Sequence, residues 1–187
     1  MTKRIFDIVI VIICMILLII PICILCLIIK LTSPGPILYW SRRVGKNNIE
    51  FMMPKFRSMK VDAPVVATHL LNNPNDWLTS IGSFIRKTSL DELPQLWSIL
   101  IGDMSIVGPR PALYNQIDLI TIRTNLGIHV LMPGLTGWAQ INGRDEIALD
   151  DKILLDLEYL NKRSLLFDLR IIWITLKKVV YKEGILH

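Results

Sequence analysis

The chain has 187 residues, 52% hydrophobic and 20% charged, with 21 lysines and arginines against 16 acids for a formal charge of +5. This excludes a disordered or fibrous chain and suits one domain of ordinary size, or a smaller domain with a membrane element. Its 3 cysteines are too few for a disulfide-stapled scaffold, and no repeat at a fixed period suggests a tandem array.

From Ile5 to Ile29 the chain runs 25 residues whose only charge is Asp7. A hydrocarbon core about 30 Å thick needs roughly 20 apolar helical residues, so the run is long enough to span. It is too long for a signal peptide, and no small-residue cleavage site follows it. Lys3 and Arg4 precede it, and Lys30, Arg42, Arg43 and Lys46 follow. Both flanks are therefore of the basic, cytoplasmic kind. Pro21 removes one helical hydrogen bond within the run. Two arrangements fit: two limbs, broken at Pro21, that enter and leave through one leaflet, or an ordinary kinked span. Cys14, Cys23 and Cys26 lie in the same run and read as small apolar filler rather than a metal or redox group.

Thr32-Ser33-Pro34-Gly35-Pro36 is a stop and a turn. Ile37 to Trp40 and Ile49 to Met53 read as short strands of a β-hairpin around Val44 to Asn48. Lys55-Phe56-Arg57-Ser58-Met59 follows, either an edge strand with solvated cations or an electropositive segment of a site. Val61 to Asn75 is predicted as a loop broken by a short helical turn. Trp77 to Arg86 and Leu90 to Leu100 have helical spacing. Ser105 to Pro111 reads as a turn, and Pro133 to Arg144 as Gly-rich and irregular. Leu149 to Leu160 is an amphipathic helix with Leu149, Ile153, Leu157 and Leu160 on one side and acids on the other. Leu165 to Tyr181 is nearly all apolar but carries Asp168, Arg170, Lys177 and Lys178, which suits a helix lying along a membrane surface.

Chemistry concentrates in Arg86-Lys87-Thr88-Ser89-Leu90-Asp91-Glu92-Leu93-Pro94-Gln95. Ser89 and Glu92 have the spacing of a capping box, which would put Asp91 in the first turn of a helix. The two acids then either only cap that helix or form a reactive pair. Arg86 and Lys87 upstream, and Arg110 in the rigid Gly108-Pro109-Arg110-Pro111 turn, favour the pair. Two carboxylates among cations suit phosphate chemistry: one attacks phosphorus, one holds a divalent metal, and arginines neutralise phosphoryl oxygens. In Pro133 to Arg144, three glycines accompany Trp138, Gln140, Asn142 and Arg144, fitting either a ligand loop or a tight loop with Trp138 in the core. His69, His129 and His187 have no metal-ligand spacing, and no P-loop or dinucleotide fingerprint occurs. The basic residues cluster beside the apolar run, so anionic lipid, not nucleic acid, is the partner they indicate.

KFRSM at 55–59, RKTSLDELPQLWSIL at 86–100, GDMSIVGPRP at 102–111 and PGLTGWAQINGR at 133–144 stand in this order behind one apolar segment. As a set they resemble the bacterial sugar transferase family, the small monotopic polyprenyl-phosphate phosphoglycosyl transferases of capsule and exopolysaccharide assembly. The resemblance implies transfer of a sugar phosphate from a UDP-sugar to undecaprenyl phosphate at the cytoplasmic face of the bacterial inner membrane, with release of UMP and use of Mg²⁺. By motif, Asp91 would form a covalent phosphosugar intermediate and Glu92, beside it, would help hold the metal. Arg86 and Arg110 would bind phosphate groups, with Lys55 and Arg57 in an electrostatic role. Within the family the chain looks nearest to capsular transferases acting on N-acetylated deoxy sugars, which implies an N-acetylated sugar.

The resemblance further implies an α+β, mostly helical fold. Residues 1–31 would form a re-entrant helix–break–helix, and residues 32–187 a cytoplasmic, membrane-associated catalytic domain with a short hairpin and interfacial amphipathic helices. Ile20-Pro21 departs from the Ser-Pro break common in relatives, and Ile101 stands where a Lys is common. One-step transfer with Asp91 as a metal ligand, and a membrane-anchored scaffold without activity, are the competing readings. The oligomeric state is open, a homo-oligomer included.

Overall fold

The structure, a computed structural model, describes residues 2–64, 73–143 and 147–181. The middle of the expected loop from Val61 to Asn75 and Arg144 of the Gly-rich loop lie outside the described residues. Helix α1 (Thr2–Thr32) is the 1 helix among the described residues long and apolar enough to cross a membrane, with mean hydropathy 3.6. It continues through Pro21 and does not divide into two helices there. A proline costs one backbone hydrogen bond but already has a helical φ, so a helix can run on through it.

One stripe of α1 is packed on the rest of the molecule: Asp7, Val11, Leu25 and Ile29 are buried. Ile16, Leu17, Ile20 and Leu31 point the other way and are largely exposed. Both ends of the helix are fastened. Lys3 Nζ lies 2.6 Å from Asp168 Oδ2, and Arg4 donates to the carbonyls of Ile99 and Leu100. Asp7 accepts from the Ser105 hydroxyl at 2.7 Å and from the Ile106 N–H. Beyond the C-terminal end, Arg57 donates to the carbonyls of Ser33 and Pro34, at 2.9 and 2.6 Å.

Strands β1 (Leu38–Val44) and β2 (Glu50–Phe56) form the hairpin, with Leu38 opposite Phe56 and Val44 opposite Glu50. Strand β1 runs further towards the turn than its alternation suggests, and β2 runs further away from it, to Phe56; the turn between them is tight, with Asn47 and Asn48 at left-handed φ of 55° and 61°. A short strand β4 (Ala112–Leu113) adds antiparallel to the other edge of β1. A second, parallel pair joins β3 (Ser105–Val107) to β5 (Gly134–Thr136). Both of these fall in segments that read as turn or irregular, because three residues carry no period to detect.

Helix α2 (Gly82–Lys87) starts later than the apolar spacing from Trp77 suggests. Residues 77–79 are instead drawn into a bridge with residues 58–60, through Lys60 N–H to Trp77 and Thr79 N–H to Ser58. Helices α3 (Gln95–Ile101), α4 (Ile117–Asn125), α5 (Trp138–Ile141), α6 (Leu149–Lys162) and α7 (Leu165–Tyr181) complete the fold. The main core gathers Val11, Met53, Ile99, Met104, Val107, Ile153 and Ile171, while a smaller one joins Leu25 and Ile29 of α1 to Phe56 and Ile85.

One expected face is corrected. In α6 the acids are not all on the solvent side: Asp156 is buried between Ile153 and Tyr159. In α7 Asp168 and Ile171 point inward, while Leu166, Leu169, Trp173 and Leu176 form an exposed apolar stripe.

Candidate active site

The carboxylates sit on a single 3₁₀ turn, Leu90–Glu92, and not in the first turn of a longer helix. Pro94 decides this: it lacks the N–H to continue a ladder but fits the opening of a helix, so α3 begins after it. Ser89 does not cap with its side chain and adopts φ 56°, which aims the chain sharply into the turn. The box spacing is present, but Glu92 has stronger partners than a backbone amide. Leu90 and Leu93 pack on the small core with Leu25 and Ile29 of α1, so the apolar residues of this turn seat it against that long apolar helix.

Glu92 Oε1 accepts from Lys55 Nζ at 3.1 Å and from Arg110 Nη2 at 3.0 Å. Lys55 Nζ also lies 3.7 Å from Asp91 Oδ2. Lys55 is on β2, Arg110 follows β3, and the acids lie between α2 and α3, so the cluster collects distant parts of the chain. The side chains are only 15% (Lys55), 14% (Asp91) and 19% (Glu92) exposed, which strengthens their charges' mutual interaction. The two acids diverge. Burial pushes the Asp91 carboxyl above its ordinary value; the repulsion of Glu92 adds to this, and Lys55, Arg110 and Arg86 only partly offset it. Burial also acts upward on Glu92, but Lys55 and Arg110 together hold it well below the usual carboxylate range. Glu92 is thus firmly ionised, while Asp91 is the desolvated, less engaged carboxylate.

Arg86 stands in the last turn of α2, electrostatically coupled to Asp91, with Nη1 3.7 Å from Met59 Sδ. Arg57 is buried and donates to the Ser33 and Pro34 carbonyls, which ties it to the end of α1. Trp138 donates to Glu158 Oε2 at 2.7 Å and packs its ring 5.0 Å from that of Phe167. Gln140 Nε2 donates to Leu135 O, and Asn142 donates to Trp138 O. None of these partners belongs to the carboxylate cluster. Among the described residues no three of His, Cys, Asp or Glu converge on a metal site. Two adjacent carboxylates are still the donor set of an ion that takes its remaining ligands from phosphate and water, as Mg²⁺ does.

Sequence reasoning did not single out the groups behind Arg110. Arg123 of α4 is buried, donates to Arg110 O at 2.8 Å, and bonds Asp156 of α6 through Nε (3.0 Å) and Nη2 (2.5 Å). Arg43 of β1 donates to Pro111 O at 3.1 Å. A signal existed for Asp156: three residues from both Ile153 and Tyr159, it shares their helical face.

Comparison with known proteins bears on this arrangement. The chain is 40% identical over 185 residues to the UDP-glucose:undecaprenyl-phosphate glucose-1-phosphate transferase of Escherichia coli (strain K12), covering 94% of this chain and 39% of that protein. It is 39% identical to the uncharacterized sugar transferase EpsL of Bacillus subtilis (strain 168), over 84% of this chain and 77% of the relative. It is 36% identical to the exopolysaccharide production protein ExoY of Sinorhizobium fredii (strain NBRC 101917 / NGR234), over 98% and 87%. The chain thus spans about two fifths of the Escherichia coli relative and most of the latter two. A family model described as bacterial sugar transferase matches residues 1–182, and the chain belongs to that family.

Proposed function

We propose that this protein is a phosphoglycosyl transferase that moves a sugar phosphate from a UDP-sugar to undecaprenyl phosphate, as the first membrane step of capsule or exopolysaccharide assembly. The observation that carries the reading is the unequal carboxylate pair: Glu92 is held by Lys55 and Arg110, and Asp91 beside it is desolvated and less engaged. An Asp91 oxygen attacks the sugar-bearing phosphorus, the bond from that phosphorus to the bridging oxygen breaks, and UMP leaves. An oxygen of undecaprenyl phosphate then attacks the same phosphorus and releases the carboxylate. In its ionised form a carboxylate needs no base for the first step. Arg86 and Arg110 neutralise phosphoryl oxygens, and Asp91 and Glu92 would hold Mg²⁺, which would supply further charge neutralisation to the phosphate groups.

The fastening of α1 supports a monotopic membrane mode. One domain binds Lys3, Arg4 and Asp7 at one end of the helix, and Ser33 and Pro34 beyond the other. A helix crossing the bilayer would put those ends on opposite sides, so this supports both ends of the unbroken α1 lying on one side of the membrane, the cytoplasmic side that the basic flanks favour. The exposed stripe of Leu166, Leu169, Trp173 and Leu176 supports α7 lying in the interface. The sugar is proposed as N-acetylated. The names of relatives include transferases of glucose, galactose and N-acetylgalactosamine, so a panel of UDP-sugars decides it.

The test is trapping: UDP-sugar labelled in the sugar, incubated without lipid acceptor, leaves label on the peptide containing Asp91 and releases one equivalent of UMP. Turnover with acceptor but no label and no UMP release without it would assign one-step transfer. Turnover absent with every UDP-sugar would leave a scaffold.

A further inference from the structure

The turn that presents Arg110 cannot hold itself. Pro109 and Pro111 have no N–H, so Pro109-Arg110-Pro111 offers three carbonyls but a single backbone donor. Each carbonyl is met from a different element. Gly134 N–H of β5 donates to Pro109 O at 2.9 Å, Arg123 of α4 donates to Arg110 O at 2.8 Å, and Arg43 of β1 donates to Pro111 O at 3.1 Å. Of the two guanidiniums, Arg123 is the buried one and is itself fixed by the buried Asp156 through two nitrogens.

We infer that Arg123, oriented by Asp156, is a positioning residue that sets the backbone of Arg110 and so the reach of its guanidinium to Glu92 and to a substrate phosphate. The inference rests on the transferase reading for its catalytic consequence, but not for the geometry. Asp156 takes two nitrogens of one planar fork and leaves the third, Nη1, aimed at Arg110 O. Lysine has one nitrogen and cannot satisfy both partners in this arrangement. The bland alternative is that the pair only ties α4 to α6.

The variant Arg123→Met/Asp156→Leu separates the two. Replacing a buried ion pair by apolar residues of similar volume commonly preserves stability, so the helices stay together while the donor to Arg110 O is lost. We expect the double variant to melt close to wild type, and hydrogen exchange to rise in the peptide covering residues 105–113 and not in α6. Sugar-phosphate transfer should fall about 100-fold, the scale of a sub-ångström to ångström misplacement of a catalytic contact. In a mutant cycle with Arg110→Lys, the losses should be strongly non-additive, since both act through one group. If the apolar pair does not fold, Arg123→Lys is read the same way.

Unchanged exchange at residues 105–113, full activity of the folded apolar pair, or additive losses would each overturn the inference. Raised exchange in a protein whose wild type transfers no sugar phosphate would overturn the transferase reading and leave the positioning of Arg110 standing.

Discussion

The ammonium of Lys55 shares one oxygen of Glu92 with Arg110, at 3.1 and 3.0 Å, and reaches Asp91 only at 3.7 Å. One acid is thereby fixed as an ion while its neighbour is left to burial. Lys55 is the cation that acts most strongly to lower the Asp91 carboxyl, so Lys55→Met should raise that carboxyl further. The acid limb of UMP release, where Asp91 gains its proton, should move to higher pH. Lys55→Arg, retaining the charge, should move it less. A pH profile of both variants decides; a limb unmoved by Lys55→Met would show that Asp91 does not govern it.

Asp91→Asn should abolish label trapping and lower turnover by at least about 1,000-fold, as removal of a nucleophile does. Its stability should move the other way. The folded state disfavours the Asp91 carboxylate, so at neutral pH the neutral amide should melt no lower than wild type. Differential scanning fluorimetry in detergent checks this beside the activity assay.

Glu92 has the opposite linkage. Its folded carboxyl lies below the ordinary 4.5, so its contribution to stability is present above that value and is lost as pH falls toward the folded value. Glu92→Gln should therefore flatten the decline of melting temperature between about pH 5 and pH 3 relative to wild type. An equally steep decline in the variant would assign the acid sensitivity elsewhere.

Arg57 predicts a stability effect at the C-terminal end of α1. Arg57→Met strands the Ser33 and Pro34 carbonyls and should cost about 3 kcal/mol, the scale of hydrogen bonds to a charged donor. Gly35 has φ +111°, and a Cβ there would stand 2.2 Å from Arg57 Nη1, so Gly35→Ala should destabilise by roughly 1–3 kcal/mol. Denaturant unfolding in micelles measures both, and a neutral Gly35→Ala would contradict the crowding.

The topology is checked by single cysteines at Thr2 and Pro36, in a background with Cys14, Cys23 and Cys26 replaced by alanine. A reagent that cannot cross the bilayer should label both sites from the cytoplasmic side of inverted vesicles. Labelling of one site from each side would establish a span.

The sequence disclosed the fold where a period runs long. Hydropathy alone found α1, and α6 and α7 lie within about two residues of the helical spacing that predicted them. It did not disclose β3, β4 and β5, because two or three residues have no alternation and pair only through partners distant in the chain. Ser89 shows how a local rule yields to a tertiary one: the capping spacing is there, but two cations draw Glu92 away and Pro94 delays the helix. Asp91, Glu92, Arg110 and Lys55 were legible as reactive types near cations, and the fold brings them together. Arg123 was not legible, since an arginine in an ordinary helix signals nothing until its carbonyl partner is known.

The fastening of Lys3 to Asp168 joins residues 165 positions apart, and Asp7 meets Ser105 98 positions on. During synthesis the first helix emerges long before either partner exists. The apolar helix must therefore wait until the ribosome has passed Ser105 for its first ties, and the late arrival of α7 adds the last one, from Asp168 to Lys3. Truncation ahead of Asp168 should accordingly leave a chain that reaches the membrane but holds its anchor more loosely, without the tie to Lys3, an outcome set by the order of translation rather than by hydrophobicity.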